Sequence, residues 1–149
     1  MKSIVVYSTK GGNTGKIADS IASELNCDSI RVNHSSLCLP ADLDSCDLIF
    51  IGTGIHFGNP NEDLMGYLKT ASLDKPKVFA LFVTWGGAGK TIQDVIAQVR
   101  RVLEEKGHRV IEDSYICYGG WNFLRRGHPN KADAHAARDW AKKIVKSVV

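Results

Sequence analysis

Short apolar runs alternate with amphipathic stretches along the whole chain. The runs that begin at Ile4, Ile30, Leu48 and Val78 predict buried strands, and a fifth strand is expected within 109–118. Between these runs, apolar residues recur at helical spacing. Parallel strands need crossover connections, and such crossovers are right-handed almost without exception. The alternation therefore predicts an α/β fold with a doubly wound, five-stranded parallel sheet.

Four helices are expected between or after these strands. The first runs from Thr14 to about Asn26, the second covers about 61–71 and the third about 90–105. The last has one apolar face, and Asn130 with Asp133 three residues on is expected to cap its N-terminus. Because no linker, repeat or low-complexity stretch interrupts the pattern, the sequence predicts a single domain over 1–149.

Composition excludes several classes of protein. Hydrophobic residues make up 44% and charged residues 23%, which is ordinary for a globular domain and argues against disordered, coiled-coil or collagen-like sequence. The net charge of +3 is too mild and too dispersed to indicate nucleic-acid binding. The N-terminal apolar run is shorter than a signal-peptide core, and no stretch approaches the ~20 apolar residues of a membrane span. We therefore expect a cytoplasmic protein with neither a nucleic-acid nor a membrane partner.

The four cysteines do not indicate a metal or disulfide framework. Cys27, Cys38, Cys46 and Cys117 show neither a Cys-x-x-Cys pair nor metal-ligand spacing with the histidines. Free thiols in a reducing compartment are the expectation. No Ser-His-Asp or Cys-His arrangement is supported by spacing, so neither a metal site nor a catalytic side chain is predicted.

The glycine-containing loop between the first strand and the first helix predicts an anion site. Backbone N–H groups and the helix dipole at a helix N-terminus favour a phosphate, and glycines let it approach closely. The alternative is a capping turn that binds no ligand. The candidate residues supply hydroxyls, an amide, one cation and two glycines; they are Ser8, Thr9, Lys10, Gly11, Gly12, Asn13 and Thr14.

Two further loops are expected beside it, because ligands of doubly wound sheets bind at the carboxyl ends of the strands. The loop after the third strand is Gly52–Pro60, and the loop after the fourth is Thr84–Gly89. Their candidate residues are Thr53, Gly54, Ile55, His56, Phe57, Gly58, Asn59, Thr84, Trp85, Gly86 and Gly87. The segment after the fifth strand, which begins at Tyr118, is instead expected to cover the sheet edge.

The segment from Val5 to Ile21 resembles the phosphate-loop signature of flavodoxins, with the strand, the Gly-Asn-Thr core and the apolar positions of the following helix in register. The resemblance extends over the whole chain in size and element order. It implies a bound FMN and the strand order 2-1-3-4-5. One departure is that flavodoxins usually have Ser or Thr where Gly11 stands, and another is the unusual cation Lys10 beside the phosphate.

The resemblance also implies roles in the second and third loops. Phe57 is expected near the isoalloxazine, and the peptide between Gly58 and Asn59 is expected to turn its carbonyl toward flavin N5 on reduction, which a glycine without a Cβ permits. The N–H groups of Gly86 and Gly87 are candidates for the pyrimidine edge.

Two aromatic positions keep alternatives open. His56 is either a solvated loop histidine or a hydrogen-bonding group near the flavin edge. Trp85 either stacks on the ring or covers the core at the rim of the sheet.

A nucleotide-binding P-loop is the competing interpretation of the third loop. The run Gly86–Thr91 looks like the end of that motif, but Thr84 stands where the pattern requires its first glycine. No apolar strand ending in Asp follows to hold magnesium. We therefore do not expect ATP binding here.

The resemblance implies a low-potential electron carrier whose FMN passes through semiquinone and hydroquinone forms, with a reductase as donor and an enzyme as acceptor. We expect a monomer or a weak dimer. Flavodoxin carriers are typically strongly acidic, so a net charge of +3 departs from the family. One alternative is an NAD(P)H-dependent FMN quinone oxidoreductase, because Phe57-Gly58-Asn59 also resembles a loop of those longer enzymes. A second alternative is a flavin-free interaction module.

Overall fold

The computed structural model describes residues 1–33, 41–87, 91–120 and 126–149. The strands are β1 (Ser3–Tyr7), β2 (Ser29–Arg31), β3 (Leu48–His56), β4 (Asn59–Pro60), β5 (Val78–Trp85), β6 (Arg109–Val110) and β7 (Tyr115–Tyr118). The helices are α1 (Asn13–Leu25), α2 (Glu62–Thr70), α3 (Ile92–Glu105) and α4 (Lys131–Val148), with a 3₁₀ turn at Ala41–Ser45. The expected third helix thus begins at Ile92, and the part of its prediction at 90 lies outside the described residues.

The strands form a parallel sheet in the order β2-β1-β3-β5-β6, with β7 also paired to β5. β6 pairs with the start of β5 at Val78 and Phe79, and β7 pairs with its second half, from Phe82 to Trp85. The fifth strand expected within 109–118 is therefore present but interrupted at 111–114. The predicted doubly wound sheet and its order 2-1-3-4-5 are confirmed.

Apolar side chains alternate along the strands between the two faces of the sheet, and helices cover both. On one face α1 and α4 pack on strand residues such as Val5, Phe50 and Phe82. On the other face α2 and α3 pack on strand residues such as Val6 and Leu81. This two-sided burial accounts for the nearly continuous apolar character of the central strands.

The third strand is longer than predicted. The sequence predicts a strand end at Ile51 and a loop from Gly52 onward, whereas β3 continues to His56 and folds back through a two-residue turn into β4. Gly52 pairs with Phe82 of β5, and a Cβ on Gly52 would lie 2.2 Å from the Phe82 Cζ. Gly52 therefore lies within the strand, where its lack of a side chain leaves room for the Phe82 ring, and it does not begin a turn.

The expected helix ends are largely confirmed. Asn26 follows α1 in the left-handed region at φ 50°, and its backbone N–H bonds to the carbonyls of the last turn. Asn130 and Asp133 form a reciprocal capping box at the start of α4. Among the described residues, no helix is long and apolar enough to cross a membrane.

The described part of the chain also contains no group of three or more His, Cys, Asp or Glu side chains that could hold a metal ion. Cys27 and Cys117 are free thiols, Cys46 is buried in the core, and Cys38 lies outside the described residues. Burial raises the pKa of Cys27 to about 11 and that of Cys117 to about 12, so both thiols are protonated and poorly nucleophilic at neutral pH.

Candidate functional site

Loops that follow four of the strands meet at the carboxyl edge of the sheet. The hydroxyls of Thr14 and Thr84 join the first loop to the end of β5 at 2.8 Å. The Asn13 amide donates to the Gly120 carbonyl, beyond β7, at 2.9 Å. Gly58, at the tip of the β3–β4 hairpin, lies against Thr91 at the start of α3. The three loops singled out from the sequence are therefore brought together.

The first loop leaves a helix N-terminus free for an anion. Thr9 Oγ1 accepts a hydrogen bond from the Gly12 N–H at 2.9 Å, which closes the turn, and Gly12 adopts φ 92°. α1 then begins with no side-chain cap and no acidic residue in its first turn. A Cβ on Gly11 or Gly12 would meet nothing within 4 Å, so the loop is open to solvent at both glycines. The geometry suits a phosphate.

Several side chains proposed as phosphate donors are instead bonded within the protein. The Ser8 hydroxyl is buried at 1% exposure and faces two acceptors, the Val32 carbonyl at 2.9 Å and Asn61 Oδ1 at 3.0 Å. Thr14 is paired with Thr84, as described above. Lys10 is exposed. Donors that a ligand could use include the backbone N–H groups of α1, the Lys10 ammonium, the Thr9 hydroxyl proton and the second N–H of the Asn13 amide.

Phe57 occupies the tip of the second loop in an unfavourable conformation. Phe57 and Gly58 have φ values of 51° and 77°, and positive φ at both central residues is the pattern of a type I′ hairpin turn. That pattern favours Asn or Gly, and a bulky residue in the left-handed region is strained. The Phe57 ring is nevertheless fully exposed, at 101%.

The other residues of the second loop hold the hairpin in place. Thr53 Oγ1 donates to the Gly54 carbonyl at 2.8 Å and accepts from the Asn61 N–H at 2.9 Å. The Asn59 amide donates to the Phe57 carbonyl at 3.2 Å, and Ile55 packs on the core under α2 and α3. Thr53 and Ile55 therefore support the loop from inside, whereas Asn59 lies on its exposed side.

His56 is half-buried rather than solvated. Its ring lies over Gly54, where an added Cβ would be 3.2 Å from His56 Nε2. Nε2 has no accessible surface and no hydrogen-bond partner among the described residues. Burial lowers the pKa of His56, and the nearby Lys10 ammonium lowers it further, while Glu62 acts in the opposite direction. The side chain is therefore neutral at pH 7.

Trp85, in the third loop, belongs to a row of rings at the edge of the sheet. It lies alongside Tyr118, its partner on β7, with ring centroids 6.4 Å apart and planes 17° apart. Tyr118 in turn meets the His128 ring edge to face at 5.7 Å. A Cβ on Gly86 would meet nothing within 4 Å, and Gly87 has φ 79°. The P-loop interpretation depends on 88–90, which lie outside the described residues.

Sequence reasoning missed the part that the segment after β7 plays in the site. A Cβ on Gly119 would lie 2.9 Å from the Asn13 amide nitrogen, so this segment packs directly on the first loop. The Gly120 N–H donates to the His128 carbonyl at 2.7 Å, and His128 Nδ1 lies 2.6 Å from Asp133 Oδ2. A glycine pair in the loop that follows a parallel strand, as in the first and third loops, is the signal that could have identified it.

Comparison with known proteins places this architecture in a family. The model of the flavodoxin domain family matches residues 4–123. An uncharacterised protein of Methanocaldococcus jannaschii is 31% identical over 156 residues, which cover 99% of this chain and 100% of that protein.

Solved structures show the same fold at low sequence identity. A flavodoxin, WrbA-like protein from Agrobacterium tumefaciens superposes with a TM-score of 0.79 at 16% identity, covering 99% of this chain and 96% of that one. Oxidised flavodoxin 1 from Bacillus cereus superposes with a TM-score of 0.76 at 18% identity, and 98% of each chain is covered. Fusobacterium nucleatum flavodoxin bound to flavin mononucleotide superposes with a TM-score of 0.71 at 19% identity, and 99% of each chain is covered. With a family model that spans most of its length, a relative that matches from end to end and the predicted strand order, the chain belongs to the flavodoxin domain family.

Proposed function

We propose that this protein binds FMN at the carboxyl edge of its sheet and acts as an electron-transfer carrier between a reductase and an acceptor enzyme. Membership of the flavodoxin domain family supports the choice of cofactor, as does the FMN bound by the structurally similar flavodoxin of Fusobacterium nucleatum. The observation that carries the proposal is the exposure and backbone conformation of Phe57.

Phe57 has two energetically unfavourable features that the fold itself does not require. Its ring is fully exposed, and its backbone lies in the left-handed region at φ 51°. Exposed aromatic area and a strained backbone are each unfavourable in the ligand-free protein, and such strain is typical of functional sites. A flat aromatic ligand that packs on Phe57 would recover the first cost and explain why the turn keeps a phenylalanine.

The phosphate end of FMN fits the first loop. The uncapped N-terminus of α1 supplies N–H donors and a partial positive charge, and the open space at Gly11 and Gly12 admits a phosphate against them. Lys10 adds an exposed cation where many flavodoxins use neutral donors. Charge-assisted contact from Lys10 would compensate for the hydroxyl that Gly11 lacks.

Bound FMN would supply the redox chemistry, accepting and releasing electrons one at a time. The protein positions it and sets the cost of reduction. Apolar contact from Phe57 and Trp85 would disfavour added negative charge on the ring. Gly58, at φ 77°, has the backbone freedom to turn its carbonyl toward the ring.

The test is to titrate the apoprotein with FMN and then follow a potentiometric reduction. Quenched flavin fluorescence at submicromolar FMN, followed by two separated one-electron steps, is the expected result. A single two-electron step with steady NAD(P)H oxidation by a quinone, without added reductase, would point instead to the quinone oxidoreductase. No binding at micromolar FMN would leave the flavin-free interaction module.

Replacing Phe57 with alanine is expected to weaken FMN and riboflavin binding equally, by about tenfold, which corresponds to roughly 1.4 kcal/mol of lost ring contact. Because the ring is fully exposed, the free energy of unfolding of the apoprotein should not fall. Fluorescence titration with both flavins, together with urea unfolding, measures these effects. Unchanged affinity for both flavins would contradict a role for Phe57 in covering the ring.

A further inference from the structure

His56 carries a buried ring nitrogen that has no partner, and its ring turns toward the first loop. The side chain leaves β3 just before the hairpin tip and lies over Gly54. A Cβ placed on Gly54 would be 3.2 Å from His56 Nε2 and 3.6 Å from Thr14 Oγ1. The imidazole therefore lies beside the first turn of α1, at the end of the site that suits a phosphate.

A buried polar atom without a hydrogen bond is unfavourable and needs an explanation. His56 Nε2 is such an atom. The nearby Thr14 hydroxyl is engaged with Thr84 at 2.8 Å. A bound ligand is the partner that would satisfy Nε2.

Two charged groups act on His56 from the elements packed around it. Burial is the main cause that lowers the pKa of the imidazole. Lys10, in the first loop, lowers it further, and Glu62, at the start of α2, raises it by less. A proton added to Nε2 in the ligand-free protein would also find no acceptor. Both effects would be reversed by an anion with acceptor oxygens placed between Lys10 and His56.

Building on the proposed binding of FMN, we propose that His56 contacts the phosphate end of the flavin and takes up a proton from solvent as the phosphate enters. The phosphate accepts the new N–H bond and offsets the charge of Lys10. The pKa of His56 is then higher in the complex than in the free protein. By linkage, the affinity for FMN rises as the pH falls from above the pKa of His56 in the complex to below its pKa in the free protein. His56 thus makes the preference for a phosphorylated flavin depend on pH.

The direct test is an NMR titration of the His56 ring in the apoprotein and with saturating FMN or riboflavin. FMN is expected to raise the pKa of His56, and riboflavin, which lacks the phosphate, is expected not to. A pKa that FMN leaves unchanged or lowers would overturn the proposal. An equal rise with both flavins would place the contact elsewhere on the flavin and would overturn it as well.

The matching binding test compares His56→Gln with the wild-type protein. The ratio of their FMN dissociation constants, variant over wild type, is expected to increase about tenfold between pH 8 and pH 5. Using the ratio cancels the titration of the phosphate itself, whose second pKa is about 6. A ratio that stays constant with pH would overturn the proposal.

His135→Gln is the matched control. His135 is an exposed histidine of α4, paired with Asp139 at 3.2 Å, and its variant should keep the wild-type pH profile. Failure of the wild-type protein to bind FMN at any pH would overturn the proposed function. FMN binding with a His56 that does not respond to it would overturn only the present inference.

Discussion

Replacing Gly11 with aspartate is expected to weaken FMN binding about 100-fold and to leave riboflavin binding nearly unchanged. A Cβ on Gly11 would meet nothing within 4 Å, so the carboxylate fits without disturbing the loop. Two like charges about 5 Å apart at an effective dielectric constant near 20 repel by roughly 3 kcal/mol, which is about 100-fold in affinity. The carboxylate would also occupy the N–H groups that the phosphate needs.

The same carboxylate should stabilise the ligand-free protein. It would lie near the uncapped N-terminus of α1, which lacks an acidic residue in its first turn. A negative charge at such a position typically contributes about 0.3–1 kcal/mol. Loss of FMN binding together with equal or greater stability in urea unfolding would show that the defect lies in the site and not in the fold.

Two neutral replacements of Gly11 serve as controls. Asparagine has the shape of aspartate without the charge, so Gly11→Asn should lose much less affinity for FMN than Gly11→Asp. Serine restores the hydroxyl that flavodoxins usually have here, and Gly11→Ser should bind FMN a few-fold more tightly through one added hydrogen bond of about 1 kcal/mol. Equal losses for FMN and riboflavin in Gly11→Asp would contradict a phosphate at this loop.

The parts of the fold that could be predicted are those encoded locally. The apolar run of β5 and the helical stripe of α3 are properties of neighbouring residues, so hydrophobic periodicity identifies them. The capping box of Asn130 and Asp133 is equally local, because both residues lie within the first turn of α4. The strand order followed from the resemblance in the Gly-Asn-Thr loop.

The parts that were missed depend on partners far away in the sequence. Ser8 was expected to face a phosphate, but its hydroxyl lies near Asn61, 53 residues away. For Asn13, the contact that was missed is the one from its amide to the Gly120 carbonyl, 107 residues away; the second N–H of that amide leaves its predicted phosphate contact untested. A short polar side chain bonds to whatever the tertiary fold brings near it, and residue type alone does not specify that partner.

Replacing Gly52 with alanine is expected to destabilise the protein by about 3 kcal/mol, the upper part of the usual range for overpacking in a core. The added Cβ would lie between 2.2 and 2.9 Å from three atoms of the buried Phe82 ring, which is too close for non-bonded carbon atoms. Gly52 sits in the middle of three paired strands, with Tyr7 of β1 on one side and Phe82 of β5 on the other. The backbone there has little room to shift.

Shortening the clashing ring should restore part of the loss. Phe82→Leu alone is expected to cost about 1–2 kcal/mol through lost burial and a small cavity. Combined with Gly52→Ala, it should cost less than the sum of the two single changes and less than Gly52→Ala alone, with a coupling energy of about 2–3 kcal/mol. Urea unfolding of the four proteins measures this cycle, and strict additivity would contradict steric conflict as the cause.

Because the Gly52 carbonyl accepts a hydrogen bond from the Ser8 N–H at 3.2 Å, a displaced β3 would also disturb the first loop. The single Gly52→Ala variant should therefore bind FMN less tightly, and the double variant should recover part of both the stability and the affinity. Recovery of stability without recovery of FMN affinity would show that Gly52 is needed for the packing of the sheet and not for the geometry of the site. Recovery of both would show that the β3 register set by Gly52 and Phe82 positions the phosphate end of the site.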